Sequence, residues 1–227
     1  MADNTYEAIA SEYYDPNLHP NSRGLGVGSR IACLRLAQSI PKHFKLVIEI
    51  GPGREPLSDL FESEGRIYVD SSPTMLAFSS DRPDTTKTIG RADTMLAPDS
   101  CADLILAGLG DPYNDAGFWK EAARKLKSTG LCIFTTPSYE WALTYRTVER
   151  SLPDTARFVR SDRKVINLPS FIFSAAQQSE IIEASGLIVT RIESVLLSEL
   201  NAIEAPKLGV VDKHVPVVTG YLVKKSL

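Results

Sequence analysis

The sequence has little from which to build a disulfide framework, a zinc site or a membrane span. Only three cysteines occur in 227 residues, Cys33, Cys101 and Cys132, and no two form a CxxC pair. Their scarcity and odd number point to a reducing, cytoplasmic compartment. Histidines are equally few, at 19, 43 and 214, and no metal site is expected from so scattered a set. No apolar run approaches the roughly 18 residues that a membrane span needs. The opening MADNTYEAIASEYYD is acidic where a secretory signal would be basic and then apolar. Net charge is small, 25 basic against 28 acidic residues, which argues against a protein that coats nucleic acid or lies on a membrane surface. Internal repeats, low-complexity tracts and Gly/Ser linkers are missing as well. What remains is 43% apolar residues, enough for one large core.

The apolar residues are arranged in alternating periods. Residues 4–14 place Tyr6, Ile9, Ala10 and Tyr13 at helical spacing, and 15–28 (DPNLHPNSRGLGVG) has the Pro, Gly and Asn content of an irregular loop. Ser29 is positioned to cap a helix over 31–40 that Pro41 ends. LVIEI (46–50), RIYVD (66–70), KTIGRAD (87–93), ADLILAGL (102–109) and LCIFTTP (131–137) read as strands, the apolar ones buried on both faces. Between them, helices are expected from Pro56 to Gly65, from Ser72–Pro73 onward, and over 114–130 with Gly130 as the stop. Short connections between alternating strands and helices imply a parallel sheet with helices on both faces. A hairpin is expected over 156–167, turning near Ser161–Asp162, followed by a helix capped by Ser174. Two long strands, 187–197 and 215–225, close the chain and are joined by a loop without a clear helix. The expected organisation is an N-terminal helical cap (1–43) and an α/β domain (44–227) carrying an insertion at 138–173.

Chemistry is concentrated at the ends of the expected strands. In VIEIGPGREP (47–56), Glu49 lies in a buried strand and Gly51 and Gly53 follow at the turn out of it. Glycine suits a sharp turn that must also let a ligand approach the backbone. Asp70 ends the next strand about 20 residues later, the interval at which a carboxylate reaches a ribose diol. Asp93, on the loop after the third strand, offers an acceptor for an exocyclic amine, with apolar Met95 and Leu96 beside it.

VIEIGPG, IYVDSSPTMLAFSS, RADTMLAPDSCADLILAGL and ARKLKSTGLCIFTTPS, taken in order, resemble the successive cofactor motifs of the class I S-adenosylmethionine-dependent methyltransferases. The resemblance covers about residues 44–137 and, more loosely, 174–224. It implies a doubly wound, mostly parallel, Rossmann-like sheet of seven strands with one reversed at the C-terminal edge. It further implies S-adenosylmethionine as cofactor. Glu49, Gly51, Pro52 and Gly53 would surround its methionine end, Asp70 its ribose with Ser71 and Ser72 alongside. Asp93 and Thr94 would face the adenine, and Gly108 and Leu109 would form the floor. The family's third glycine is replaced here by Glu55. A dinucleotide would set its pyrophosphate beside that carboxylate, where like charges ~5 Å apart repel by about 3 kcal/mol; a sulfonium meets no such penalty.

Methyl transfer from a sulfonium is an in-line displacement in which the protein mainly positions the reactants. The acceptor is expected over the fourth and fifth strands, where DPYN (111–114) partly resembles the D/N-P-P-Y motif of amino-group methyltransferases. Asp111 is the candidate acceptor for a substrate proton, Tyr113 a candidate stacking ring, and His19 a candidate base once the cap closes. Tyr6, Tyr13 and Tyr14 are candidates to close over the cofactor, with Arg23 reaching its methionine carboxylate. Trp141 and Tyr145 either line the acceptor pocket or anchor the insertion. The expected partner is a small-molecule acceptor. Two alternatives stand beside it: nucleic acid or protein as acceptor, met by the basic insertion (Arg146, Arg150, Arg157, Arg160, Arg163, Lys164), or an inactive methyltransferase-like subunit that binds a partner. No residue pattern specifies an oligomeric state.

Overall fold

The computed structural model describes residues 5–200 and 205–226. Seven strands form one sheet: β1 (His43–Ile50), β2 (Glu62–Asp70), β3 (Thr85–Ile89), β4 (Ala102–Ala107), β5 (Leu126–Pro137), β8 (Leu187–Leu196) and β9 (Pro216–Lys225). Their order is β3-β2-β1-β4-β5-β9-β8. The first five are mutually parallel, whereas β9 runs antiparallel to both β5 and β8. The single reversed strand therefore belongs to the C-terminal edge pair, one place in from the end.

Alternation along the central strands explains why both faces are covered. Val47, Leu104, Leu106, Ile133 and Leu222 face one way and pack with Cys33, Leu36 and Ala37 of α2 (Pro20–Ala37). Ile48, Ile50, Ile105, Ala107, Cys132, Phe134, Tyr221 and Val223 face the other way, against Phe118, Trp119 and Ala122 of α4 (Ala116–Lys125) and Ile182 of α6 (Ala175–Glu183). Every second side chain along a strand points to the same face, so a continuous apolar run serves two helical layers.

Three boundaries depart from the sequence reading. The segment 15–28 is not one loop, because α2 already begins at Pro20, with Pro at its first position. Of the glycines that read as loop punctuation, Gly28 is a close-approach position, whereas Gly26 is exposed with open space around it. Gly24 and Gly28 are buried on one helical face, and a Cβ on Gly28 would stand 2.8 Å from Val218 Cγ2. Gly28→Ala is expected to destabilise by about 1 kcal/mol, an overpacking cost of roughly 1–3 kcal/mol offset by the ~1 kcal/mol helix preference for alanine. Urea unfolding checks this; a variant more stable than wild type would show that the seam can open. Ser29 lies inside α2 rather than at its cap, with its hydroxyl 2.6 Å from Thr135 Oγ1.

Between β1 and β2 there is no α-helix, only a single turn at Leu57–Leu60, because Glu62–Gly65 extend β2 alongside His43–Leu46. Gly130 does not stop a helix either: α4 closes at Lys125, and β5 runs from Leu126 through that glycine. The third strand is Thr85–Ile89, so residues 90–93 lie in the loop beyond it, and α2 ends at Ala37, short of Pro41; two helix starts and the hairpin stand as expected. Ser72 caps α3 (Pro73–Ala77), accepting from Met75 N at 3.0 Å, and Ser174 forms a capping box with Gln177 at the start of α6. The hairpin is β6 (Thr155–Val159) with β7 (Val165–Pro169), a separate two-stranded sheet that follows α5 (Tyr139–Glu149). The segment 1–43 divides in two: α2 lies on the sheet face, and only the described residues before it, including α1 (Ala10–Tyr13), reach the strand tips.

Candidate active site

The loop out of β1 is pinned to its neighbour by Gly51 N, which donates to Val69 O at 2.8 Å. Gly51 and Gly53 both have positive φ, +62° and +60°, a conformation that favours glycine. A Cβ at Gly53 would also collide with the Tyr14 hydroxyl oxygen, so Tyr14 would have to move to admit a side chain there. That oxygen accepts from Arg54 N at 3.2 Å, and the Arg54 guanidinium sits 5.0 Å from the Tyr14 ring centre. Pro52 is buried behind the loop, while Glu55 is exposed. Glu49 is 2% exposed, and its two oxygens accept from Leu57 N (2.6 Å) and Ser58 N (2.9 Å), so it holds the turn after the glycines. Burial pushes its carboxyl up to about 7 against the pull of those bonds.

At the tip of β2, Asp70 accepts from Ser72 N at 2.8 Å, and burial raises its carboxyl to about 6. Ser71 is exposed beside it. After β3, Asp93 takes both donors of the Arg91 guanidinium (2.8 and 2.6 Å), which holds its carboxyl below the ordinary range. Thr94 is exposed and Met95 buried; Ile89 and Leu96 form an exposed apolar shelf at this edge, 60% and 71% accessible.

Beyond β4, Gly108 has no room for a side chain, since a Cβ would meet Leu57 Cδ1 at 2.9 Å. Leu109 adopts φ +50° and donates its N–H to Thr135 Oγ1 at 2.9 Å. A non-glycine residue in this region is strained, and such strain collects at functional sites. Asp111 is 8% exposed; its Oδ2 accepts from Ser170 Oγ at 2.7 Å, and burial raises its carboxyl to about 7. Tyr113 reaches back over the glycine loop and donates to Ile50 O at 3.2 Å. Asn114, the last residue of DPYN, is committed elsewhere. It exchanges amide bonds with Gln178 and accepts from Trp119 Nε1 at 2.9 Å.

The N-terminal segment packs two tyrosines on Phe158 and Leu168 of the hairpin. Tyr6 and Tyr13, with ring centres 6.0 Å apart, both lie in the negative field of Asp111 and Asp70. Burial, reinforced by those carboxylates, keeps both phenols protonated far above neutral pH. Two carboxylates latch the segment down. Glu7 accepts from the Ser72 hydroxyl and from the N–H and hydroxyl of Thr74. Glu12 accepts from Ser161 N (2.8 Å) and Ser161 Oγ (2.7 Å) on the hairpin. Glu12→Ala is expected to speed protease cleavage of the segment before α2 several-fold, because two hydrogen bonds to an ionised group are lost. An unchanged rate in limited proteolysis would rule out that latch.

Several candidates are not brought to the crest. His19 stacks on Phe158 at 3.8 Å, with Nε2 4.0 Å from Glu12, in the seam between segment and hairpin. Apart from the candidates, His43 is exposed near Glu62 and Glu64 at the opposite end of the sheet, and His214 is exposed in its loop. Arg23 is exposed on α2. Trp141 and Tyr145 stack at 4.7 Å, and Trp141 Nε1 donates to Lys207 O at 2.9 Å, so they anchor the insertion. Glu7, Glu12 and Ser170 were not legible in the sequence, where they have no local motif. Among the described residues no cluster suited to a metal ion occurs, and no helix is long and apolar enough to cross a membrane.

No protein-family profile and no curated protein matches the chain. Solved structures do. A chain of the complex between the Haloferax volcanii Trm112 methyltransferase activator and a protein classed as a methyltransferase superimposes with TM-score 0.68 at 17% identity, covering 98% of each chain. A Listeria monocytogenes protein classed as an S-adenosylmethionine-dependent methyltransferase gives 0.65 at 12%, covering 89% of this chain and all of that one. DhpI in complex with S-adenosylmethionine (SAM) and HEP gives 0.65 at 16%, covering 96% and 94%. The protein has the fold of the class I SAM-dependent methyltransferases.

Proposed function

We propose that the protein is an enzyme that transfers the methyl group of SAM to a small-molecule acceptor enclosed beneath its N-terminal segment. The observation that carries the reading is the N-terminal segment: Tyr6 and Tyr13 pack on Phe158 and Leu168 of the hairpin, in the negative field of Asp70 and Asp111, and Glu7 and Glu12 tie the segment to α3 and to the hairpin. In this reading Asp70 takes the ribose hydroxyls, the Gly51–Gly53 loop faces the methionine end, and Asp93 with Thr94 lies at the adenine. Gly108 and Leu109 form the floor. Donor and acceptor are then held in line out of bulk water, which is most of what the displacement needs. SAM supplies the electrophilic methyl; the chain binds, orients and encloses.

Two of the insertion's basic residues are used within the protein, Arg146 donating to Ser170 O and Arg160 lying 3.6 Å from Glu12, while Arg150, Arg157, Arg163 and Lys164 are exposed, so a polymeric acceptor stays the second reading. The turn after the glycines also supports a methyl donor over a dinucleotide, since a pyrophosphate would find a helix of no length there and Glu55 beside it. Calorimetry with S-adenosylhomocysteine (SAH), followed by transfer of labelled methyl into fractionated metabolite pools, tests the proposal. Micromolar SAH binding and label in a low-mass fraction are expected. A folded protein that ignores SAH would end it, and label confined to RNA or protein would replace the acceptor class.

A further inference from the structure

We infer that Thr135 is a positioning residue for SAM: it holds Leu109 in a left-handed conformation that carries Tyr113 back over the glycine loop. This rests on the methyltransferase reading and adds to it a residue outside the cofactor motifs. A leucine at φ +50° is costly, because its Cβ crowds the following carbonyl. Such a conformation persists only where the surroundings impose it. Here two bonds impose it, both to Thr135. Leu109 N donates to Thr135 Oγ1 at 2.9 Å, and Gly110 N donates to Thr135 O at 2.8 Å. The Thr135 side chain is itself fixed: it is fully buried, and its hydroxyl oxygen lies 2.6 Å from that of Ser29 on α2, which is 3% exposed.

The chain on either side of Leu109 has no room to relax. A Cβ on Gly108 would stand 2.9 Å from Leu57 Cδ1 and 3.4 Å from Ser29 Oγ. One on Gly110 would collide with the Phe134 ring and stand 3.1 Å from Tyr113 Cε2. Both neighbours are close-approach glycines, and the residue between them takes the positive φ.

The turn reaches the site through Tyr113. Tyr113 N donates to Gly110 O at 3.1 Å, closing the single turn Asp111–Tyr113, and the Tyr113 hydroxyl donates to Ile50 O at 3.2 Å, directly before Gly51. A Cβ on Gly51 would sit 3.8 Å from that hydroxyl. A continuous run of contacts thus leads from α2 through Thr135, Leu109, Gly110 and Tyr113 to the loop that faces the methionine end of SAM in the proposed reading. If Leu109 relaxed to negative φ, the chain would enter Gly110 along another path and Tyr113 would leave that loop.

Calorimetry with SAH on a set of variants tests this. Thr135→Val keeps the shape of the side chain and removes the acceptor for Leu109 N; it should weaken SAH about tenfold. Thr135→Ser keeps the hydroxyl and should stay within about threefold of wild type. Thr135→Val combined with Leu109→Gly should recover most of the lost affinity, since glycine takes positive φ unaided. Truncating a second side chain mends no core that valine has damaged, so a purely structural role for Thr135 gives a further loss instead. Leu109→Val alone, a change outside the buried strand, should also weaken SAH about tenfold, because a β-branched side chain resists positive φ. That arm decides the matter if Thr135→Val does not fold. Thr135→Val or Leu109→Val binding SAH like wild type overturns the inference. So does Thr135→Ser as weak as Thr135→Val, or a double variant no tighter than Thr135→Val. A wild-type protein that ignores SAH overturns the methyltransferase reading and the inference with it, whereas any of the other adverse results beside normal wild-type binding overturns the inference alone.

Discussion

Asp111→Asn is expected to make the folded protein more stable at pH 8, by up to about 4 kcal/mol, and to lose that advantage below pH 4. In the fold this carboxyl titrates near 7 against an ordinary 3.8, because burial strips its hydration and one Ser170 hydroxyl replaces it only in part. The folded state therefore holds the proton more tightly than the unfolded state does. Folding grows less favourable as pH rises from about 4 to 7, and the penalty is complete above 7. The interval from 3.8 to 7 corresponds to about 4 kcal/mol. Asparagine removes the charge and keeps an oxygen for Ser170. Urea unfolding at pH 8 and pH 4 measures both ends. A variant less stable at pH 8, or a gain that persists at pH 4, would show that Asp111 is comfortable as an anion.

Asp70→Ala should weaken SAH binding about a hundredfold, since hydrogen bonds to an ionised partner are worth roughly 1.5–3 kcal/mol. The unliganded protein should melt no lower at pH 8 than wild type. That asymmetry follows from burial, which lifts the Asp70 carboxyl to about 6 and makes its ionised form costly to the fold. Calorimetry and a thermal scan on the same preparation separate the two effects. Unaltered SAH affinity would mean that the ribose lies elsewhere, and a large drop in melting temperature would mean that Asp70 is structural.

Strand positions and the order of motifs were readable because they depend on local period and on turn chemistry. LVIEI, RIYVD and ADLILAGL are apolar on both faces whatever surrounds them, and Ser72–Pro73 and Ser174 announce helix starts by hydrogen bonds that span three residues. The errors fall where tertiary contacts override local preference. Gly28 sits in a helix where Val218 crowds any side chain, and nothing near it in sequence reveals that strand. ESEG is strand because it pairs with His43–Leu46. The N-terminal segment was legible only as an amphipathic pattern. That Glu7 finds Ser72 and Thr74, and Glu12 finds Ser161, depends on separations of 65, 67 and 149 residues that no spacing rule addresses. For the same reason the partnership of Asp111 with Ser170 was invisible from DPYN alone.

Ser72 lends its N–H to Asp70 and its hydroxyl to Glu7. One side chain and its own amide thus join the candidate ribose carboxylate to the N-terminal segment. In the proposed cycle, whatever loosens that segment at Glu7 tugs on the group gripping the nucleoside, so departure of the methylated product and exchange of the spent donor become successive rather than independent events.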